Sequence, residues 1–361
     1  MAAITKNPPP KHTKQNLNIF QWNANGILPR LPDLKNYIAR QQIQPDIICI
    51  QESHLTDKKN LKIPSYITER RDRKDGKSYG GVATLIKTNI VYTVLENIPD
   101  IEELTIKIKL CNQDIIITNI YNPPGHHIEE KSYSQLANRP NVVILGDLNA
   151  HLPLFGGRKT DSGGISIEKL IDTYDLIVLN DRSGTRINND GTLSSIDVTL
   201  ASKNLGLKTN WHVHTESLGS DHLPILIEIN EKPVTQAITF TRYQYRRADW
   251  STFKTECGKS FQEPIFDQDN AVYNNNIVAA IHKAAEKSVP KTRNNNLRAK
   301  NTPYWNKRCN DAVKNRQKAE RKMRKSRELI DCITYRQKKK LKHKKLLEKN
   351  RLCAGKTTAT N

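Results

Sequence analysis

Six short apolar runs in this sequence border on side chains that a buried strand does not need. "QWNANG" closes on Asn23 and Asn25, "ICIQES" on Glu52, "TNIYNPP" on Asn119, Tyr121 and Asn122, and "VILGDLNAH" on Asp147 and Asn149. "SSIDVTL" sets Asp197 among apolar neighbours, and "LGSDHLPI" delivers Ser220, Asp221 and His222. Carboxylates and carboxamides are oxygen ligands suited to a hard cation such as Mg2+. An imidazole oriented by a carboxylate can hold or move a proton. Taken singly, each residue has a plainer reading as a turn asparagine, a capping acid or a satisfied core histidine. Asp197 is the hardest to dismiss, because a buried carboxylate is costly unless paired. Ligand sites gather where strands hand over to loops, and six such ends together describe an acidic site.

The elements that must position these residues are short. Strand candidates run over 17–22, 46–50, 81–86, 115–120, 142–146, 176–179, 195–200 and 225–229, rich in β-branched residues and too brief for buried helices. Leu31, Leu34 and Ile38, and then Ile167, Leu170, Ile171 and Tyr174, repeat at helical spacing. Many strands and few helices predict an α/β fold of packed sheets flanked by helices. Residues 1–16 are read as a disordered lead, 17–230 as the core domain, 231–290 as a helical linker region and 291–361 as a strongly basic helical tail.

The acidic site lies in a basic chain. The 361 residues carry a formal charge of +21, yet residues 291–361 alone hold 24 Lys+Arg against 5 Asp+Glu. The first 290 residues are nearly neutral, at +2. A surplus of this size makes a polyanion the expected partner: DNA, RNA or anionic lipid. No apolar run approaches the ~18 residues of a membrane helix, and the N-terminus lacks a secretory signal. The six cysteines show no zinc-like rhythm and are read as reduced thiols, Cys49 and Cys111 buried, in an intracellular, nuclear protein.

The order "QWNANGI", "DIICIQESHL", "GGVATLI", "NIYNPPG", "NVVILGDLNAHLPLFGG", "DSGG", "LIVLNDRSGTR", "SSIDVTLAS", "SDHLPI" resembles the endonuclease/exonuclease/phosphatase superfamily. Within it, these motifs look like the endonuclease domain of non-LTR retrotransposons, the jockey-like group in particular, over residues 17–230. The resemblance implies a four-layer sandwich of the deoxyribonuclease I type. It implies a metal-dependent DNA endonuclease, using Mg2+ with Mn2+ as a substitute, that nicks a target and leaves a 3′-hydroxyl to prime reverse transcription. "TPYWNKRCNDAVKNRQKAERKMRK" is similar to the segment leading toward a reverse transcriptase, a domain expected in relatives and not in this chain.

Hydrolysis of a phosphodiester needs a positioned water, a neutralised phosphate and help for the leaving oxygen. Glu52 is read as the principal metal ligand with Asn23 beside it, and Asp221 as a second metal candidate implied by the family's SDH motif. Asp147 orients or deprotonates the water, and Asn149 hydrogen-bonds the phosphate. His222 donates to the phosphate or shares the base role, Asp197 fixes its tautomer, and Tyr121 contacts the phosphate or leaving group. Asn25 (aspartate in some relatives), Asn122 and Ser220 are expected at the DNA, with Arg158, Lys159, Arg182 and Arg186 as phosphate contacts. "NNDG" signals a hairpin turn; in similar enzymes a hairpin there lies over the DNA, and Thr185 matches a substrate-facing position. Competing readings are a phosphomonoesterase of the same fold, repair of abasic sites, and an inactive nucleic-acid binder. The basic tail is expected to bind DNA or element RNA through its charge, and nicking is expected to survive truncation near Pro290.

Overall fold

The computed structural model describes residues 16–73, 79–236, 240–261, 270–294 and 307–342. The expected lead, apart from Asn16, and Cys353 fall outside them. In chain order the strands are β1 (Leu17–Asn23), β2 (Ile47–Gln51), β3 (Tyr66–Arg71), β4 (Val82–Lys87), β5 (Tyr92–Val94), β6 (Glu102–Lys109) and β7 (Asp114–Tyr121). They continue with β8 (Val142–Asp147), β9 (Leu176–Val178), β10 (Arg186–Ile187), β11 (Leu193–Ser194), β12 (Asp197–Ser202), β13 (Thr209–Val213) and β14 (Ile225–Ile229). Helices α1 (Leu31–Arg40), α2 (Glu130–Ala137), α3 (Ser162–Tyr174) and the short α4 (Lys203–Gly206) lie between them.

Twelve of these strands form two six-stranded mixed sheets, ordered β13-β14-β1-β2-β4-β3 and β5-β6-β7-β8-β12-β9. Alternate residues of both sheets meet between them: Ile19, Ile47, Val82 and Ile227 from one, Ile106, Ile117, Val143 and Leu145 from the other. The opposite faces are covered too. Phe20, Trp22, Ile48 and Ile50 pack with Leu34 and Ile38 of α1, and Ile144, Val198 and Leu200 with Leu136 of α2 and Ile167 and Leu170 of α3. Burial on both faces is why the central strands read as unbroken β-branched runs rather than alternating ones. The result is the four-layer sandwich that the motifs imply.

The strands that the apolar pattern does not announce, β3, β5, β6 and β13, alternate with charged or polar residues, as in "YITERR" and "EELTIKIK". β3, β5 and β13 lie at or beside sheet edges. Cys111, expected in the interior, is exposed because it sits in the turn between β6 and β7; Cys49 is buried.

β7 and β8 run parallel, with Gly146 opposite Ile120. A Cβ on Gly146 would collide with the Ile120 carbonyl oxygen, so the residue before Asp147 has to be glycine. Gly146→Ala is expected to cost about 3 kcal/mol as an overpacked interior. A fall in the urea midpoint at unchanged slope would show it.

Residues 237–297 form a separate compact unit. It holds α5 (Trp250–Ser260), capped by Asp249 accepting from the Thr252 amide at 3.0 Å, and α6 (Asn270–Ser288). It also holds an antiparallel ribbon of β15 (Phe240–Tyr243) and β16 (Lys291–Asn294), a departure from the purely helical linker expected there.

The basic segment that follows groups with the first unit rather than standing apart. Its helix α7 (Lys307–Ser326) buries Cys309, Ala312, Val313, Arg316, Glu320 and Met323, and a further helix, α8, covers residues 329–342. Met323, Cys332 and Tyr335 pack on Ile187 and Leu223. Buried Arg316 donates to Glu320 at 2.8 Å and to the Ser217 hydroxyl at 3.2 Å, and Lys342 pairs with Asp33.

Candidate active site

The strand register assembles the site. Asp147 on β8 stands opposite Tyr121 on β7 and Asp197 on β12, a row across the end of one sheet. At the same end of the facing sheet, Asn23 closes β1 and Glu52 follows β2. The Asn23 amide joins the two rows, donating to Glu52 Oε1 at 2.9 Å and to Asp147 Oδ2 at 2.7 Å. Its Oδ1 accepts from the Asn25 amide at 2.9 Å. His222 places Nδ1 at 3.1 and 2.9 Å from the two Asp197 oxygens and Nε2 at 3.8 Å from Asp147 Oδ2. Asp147, Asp197 and His222 are each at most 3% exposed.

The charges follow from this burial. Asp147 is pushed up to about 7 by desolvation and by the neighbouring Asp197 charge, against the pull of His222. Burial alone would lower His222; the Asp197 charge and hydrogen bond, with Asp147, outweigh it and raise the imidazole to about 9. Burial likewise opposes ionisation of Glu52, but hydrogen bonds from His54 and Asn23 hold its carboxyl below the usual range. Tyr121 is raised by burial and by Glu52, with which its hydroxyl is hydrogen-bonded, so it remains a phenol that donates.

Three site residues occupy the left-handed backbone region: Asn25 at φ 46°, Glu52 at φ 45° and Asn149 at φ 46°. Asparagine tolerates it, whereas a glutamate there is uncommon and strained. The sharp turn ends each strand and redirects the chain at the pocket.

Comparisons with known proteins bear on the fold that carries this site. The Endonuclease-reverse transcriptase family model matches residues 115–226, from β7 to the start of β14. The chain is 24% identical over 247 residues, 66% of its length, to a probable RNA-directed DNA polymerase from transposon X-element of Drosophila melanogaster. It is 24% identical over 293 residues, 78% of its length, to the RNA-directed DNA polymerase from mobile element jockey of the same fly. It spans 27% and 31% of those relatives. The endonuclease domain of TRAS1, a telomere-specific non-LTR retrotransposon, superposes on 59% of this chain and 98% of its own, with TM-score 0.51 and 18% identity. The likeness to this solved structure is one of fold. The AP endonuclease LMAP from Leishmania major shares the fold at 14% identity, over 60% of this chain and 88% of its own, with TM-score 0.51.

In the pocket, Glu52, Asn23, Tyr121, Asp147, Asp197 and His222 come together, with Asn149 at the rim. Its amide N–H donates to Asp147 Oδ1 at 3.1 Å and its Nδ2 to the Asn122 carbonyl at 2.9 Å. Asp221 accepts from Asn25 at 2.9 Å and pairs with Arg186 at 3.4 Å, which puts Arg186 beside the site. Arg158, Lys159 and Arg182 are exposed on loops.

Three expected DNA contacts are corrected. Ser220 is fully buried, donating to the Asn23 carbonyl at 2.8 Å and accepting from the His222 amide at 3.2 Å, so it sets the position of the histidine. Thr185 is fully buried, its hydroxyl accepting from the Asp197 amide at 3.2 Å. Asn122 is buried and donates to the Leu148 carbonyl at 3.2 Å. The hairpin itself is present as β10–β11, turning at Asn188–Thr192. His151 serves the scaffold, since its ring meets Asp161, the cap of α3, at 2.7 Å.

Two contributors escape the sequence reading. His54 lies 3.2 Å from Glu52, and Arg30 donates to the Gly26 carbonyl at 2.9 Å and the Gly219 carbonyl at 3.1 Å, tying the two loops that carry Asn25 and Asp221. Their signal was proximity to "QES" and "NANGI", which by itself does not separate a partner from a surface charge.

The donors suit a hard metal ion. Glu52 and Asp147, both hard oxygen donors, share the single Asn23 amide. Asp147, Asp197 and His222 also offer ligand atoms within 4.8 Å of one another, but Nδ1 of His222 is already engaged by Asp197, and Asp147 stands 3.8 Å from Nε2 as a charge neighbour. No helix among the described residues is long and apolar enough to cross a membrane.

Proposed function

We propose that this chain is a Mg2+-dependent DNA endonuclease that hydrolyses one phosphodiester of a target and leaves a 3′-hydroxyl. The observation that carries the reading is the buried cluster of Asp147 beside the hydrogen-bonded His222–Asp197 pair, facing Glu52 across Asn23. Asp197 fixes the imidazole with Nδ1 toward itself, so Nε2 is the nitrogen that faces the pocket beside Asp147. The raised His222 keeps a proton for a phosphate oxygen. Asp147, ionised near neutrality, takes the proton of the attacking water. Asn149 contacts the phosphate, and Tyr121 donates toward the phosphate or the leaving oxygen. Glu52 would be the principal ligand of the metal, with Asn23 holding it and Asp221 a second candidate; when bound, the cation neutralises phosphate charge. Arg186, Arg158, Lys159 and Arg182 supply contacts to flanking phosphates.

The likeness to retrotransposon proteins supports a DNA target in the nucleus, with nicking that primes reverse transcription by a polymerase domain. Supercoiled plasmid and an inositol polyphosphate, each with Mg2+, separate this reading from the phosphomonoesterase one. Relaxation of the plasmid without phosphate release is expected; phosphate release without nicking would reject it.

A pH dependence follows. Activity needs Asp147 ionised, so it rises as pH passes about 7, and needs His222 protonated, so it falls as pH passes about 9. Asp197→Asn removes the main charge raising His222 and should shift the alkaline limb of kcat/KM to lower pH. An unmoved limb would dissociate it from His222.

A further inference from the structure

Beside the catalytic pocket, α8 closes a cavity of about 520 Å³ against Pro29, Arg30 and Gly219. Its ionisable lining is cationic throughout: Arg30, Arg316, Arg336, Lys339, Lys340 and Lys342. Two of the six have close acidic partners, Arg316 with Glu320 and Lys342 with Asp33. Arg316 is fully buried, yet its Nε and Nη2 have no hydrogen-bond partner among the described residues. Lys339 is half-buried and has no ion pair or hydrogen bond among them; burial and the Arg30 and Arg316 charges act against its own charge, and Asp221 and Glu320 offset them only in part. Cations gathered under partial desolvation repel one another and favour an anion between them.

The cavity joins the catalytic pocket through one side chain. Arg30 lines it and, from the same guanidinium, holds Gly26 and Gly219, the neighbours of Asn25 and of the Ser220–His222 turn. Arg336 reaches the hairpin, donating to the Asn189 carbonyl at 3.4 Å. A strand whose phosphate lies against His222 therefore finds further cations along the same rim.

We infer that this cavity is a second phosphate subsite, built jointly by α7, α8 and the globule, that takes backbone phosphate of the DNA flanking the scissile bond. The inference rests on the endonuclease reading for its ligand. It changes the meaning of the basic segment: part of its charge forms a shaped site rather than a diffuse attraction.

The test uses the full chain and the triple variant Arg336→Gln, Lys339→Gln, Lys340→Gln, with single Lys339→Arg as the conservative control. Binding of a fluorescent duplex is measured by anisotropy in EDTA across salt concentrations, and nicking in Mg2+ separately. Because binding is read without cleavage, failure of the nuclease reading remains distinguishable from failure of this one. For loss of two or three phosphate contacts, the slope of log affinity against log salt should flatten by roughly 2. KM should rise about tenfold with kcat unchanged, at an unaltered Tm, and Lys339→Arg should behave as wild type. An unchanged slope and KM would overturn the proposal. So would a result in which millimolar inorganic phosphate raises the Tm of the wild type but not of the triple variant while the two bind duplex equally, since the cavity would then serve a small free anion.

Discussion

Asp147→Asn is expected to lower kcat for nicking by roughly 10³-fold, within the range for a lost general base, while leaving the protein folded and DNA binding equal or tighter. The side chain is nearly inaccessible, and its carboxylate accepts from Asn23 at 2.7 Å and from the Asn149 amide at 3.1 Å. An asparagine of the same shape keeps one acceptor and loses the other, a cost of about 1 kcal/mol. Against that, it removes the burial penalty on an ionised carboxylate and its repulsion with Asp197, the two causes that raise Asp147. The two effects are similar in size, so a thermal melt should move little. Loss of one negative charge beside the bound phosphate should not weaken binding. A variant with kcat within tenfold of wild type would remove Asp147 from the reaction.

Ending the chain at residue 306 is expected to destabilise the sandwich and to reduce nicking, contrary to the dispensable tail that charge alone suggests. Ile187 and Leu223 are 6% and 2% exposed because Met323, Cys332 and Tyr335 cover them. Uncovering two such side chains costs about 3 to 6 kcal/mol at ~1.5–3 each. Leu223 directly follows His222, and Ser217, which accepts from Arg316, lies in the turn that leads to it. Loosening that turn should lower nicking at least about tenfold through lost orientation. A truncated protein with wild-type Tm and nicking rate would refute the packing of α7 and α8.

What could be read in the sequence divides along physical lines. The clustering of acids was legible because Asp147, Asp197 and Glu52 stand at the ends of strands otherwise apolar, and charged groups there need a reason. Ser220, Thr185 and Asn122 were misplaced because hydroxyls and amides serve a backbone as readily as a substrate, and sequence does not show which way they turn. β3 and β6 were hidden by alternating Lys, Arg and Glu, which only a half-exposed strand explains. α7 lies in the segment read as a helical tail, but its docking was hidden by its own charge. Its buried positions, Cys309, Ala312, Val313, Arg316, Glu320 and Met323, keep helical spacing, but two slots hold an intrahelical ion pair whose burial against Ser217 the sequence does not show. Net charge averages over the helix, whereas docking depends on one face.

The most direct measurement is the chemistry of the end produced. Supercoiled plasmid treated with wild-type protein and Mg2+ should give nicked circles that a DNA polymerase extends at once, without end repair, and His222→Ala and Asp147→Asn should give none above background. Nicks that need a phosphatase before extension, or equal nicking by wild type and both variants, would contradict phosphodiester hydrolysis at this pocket.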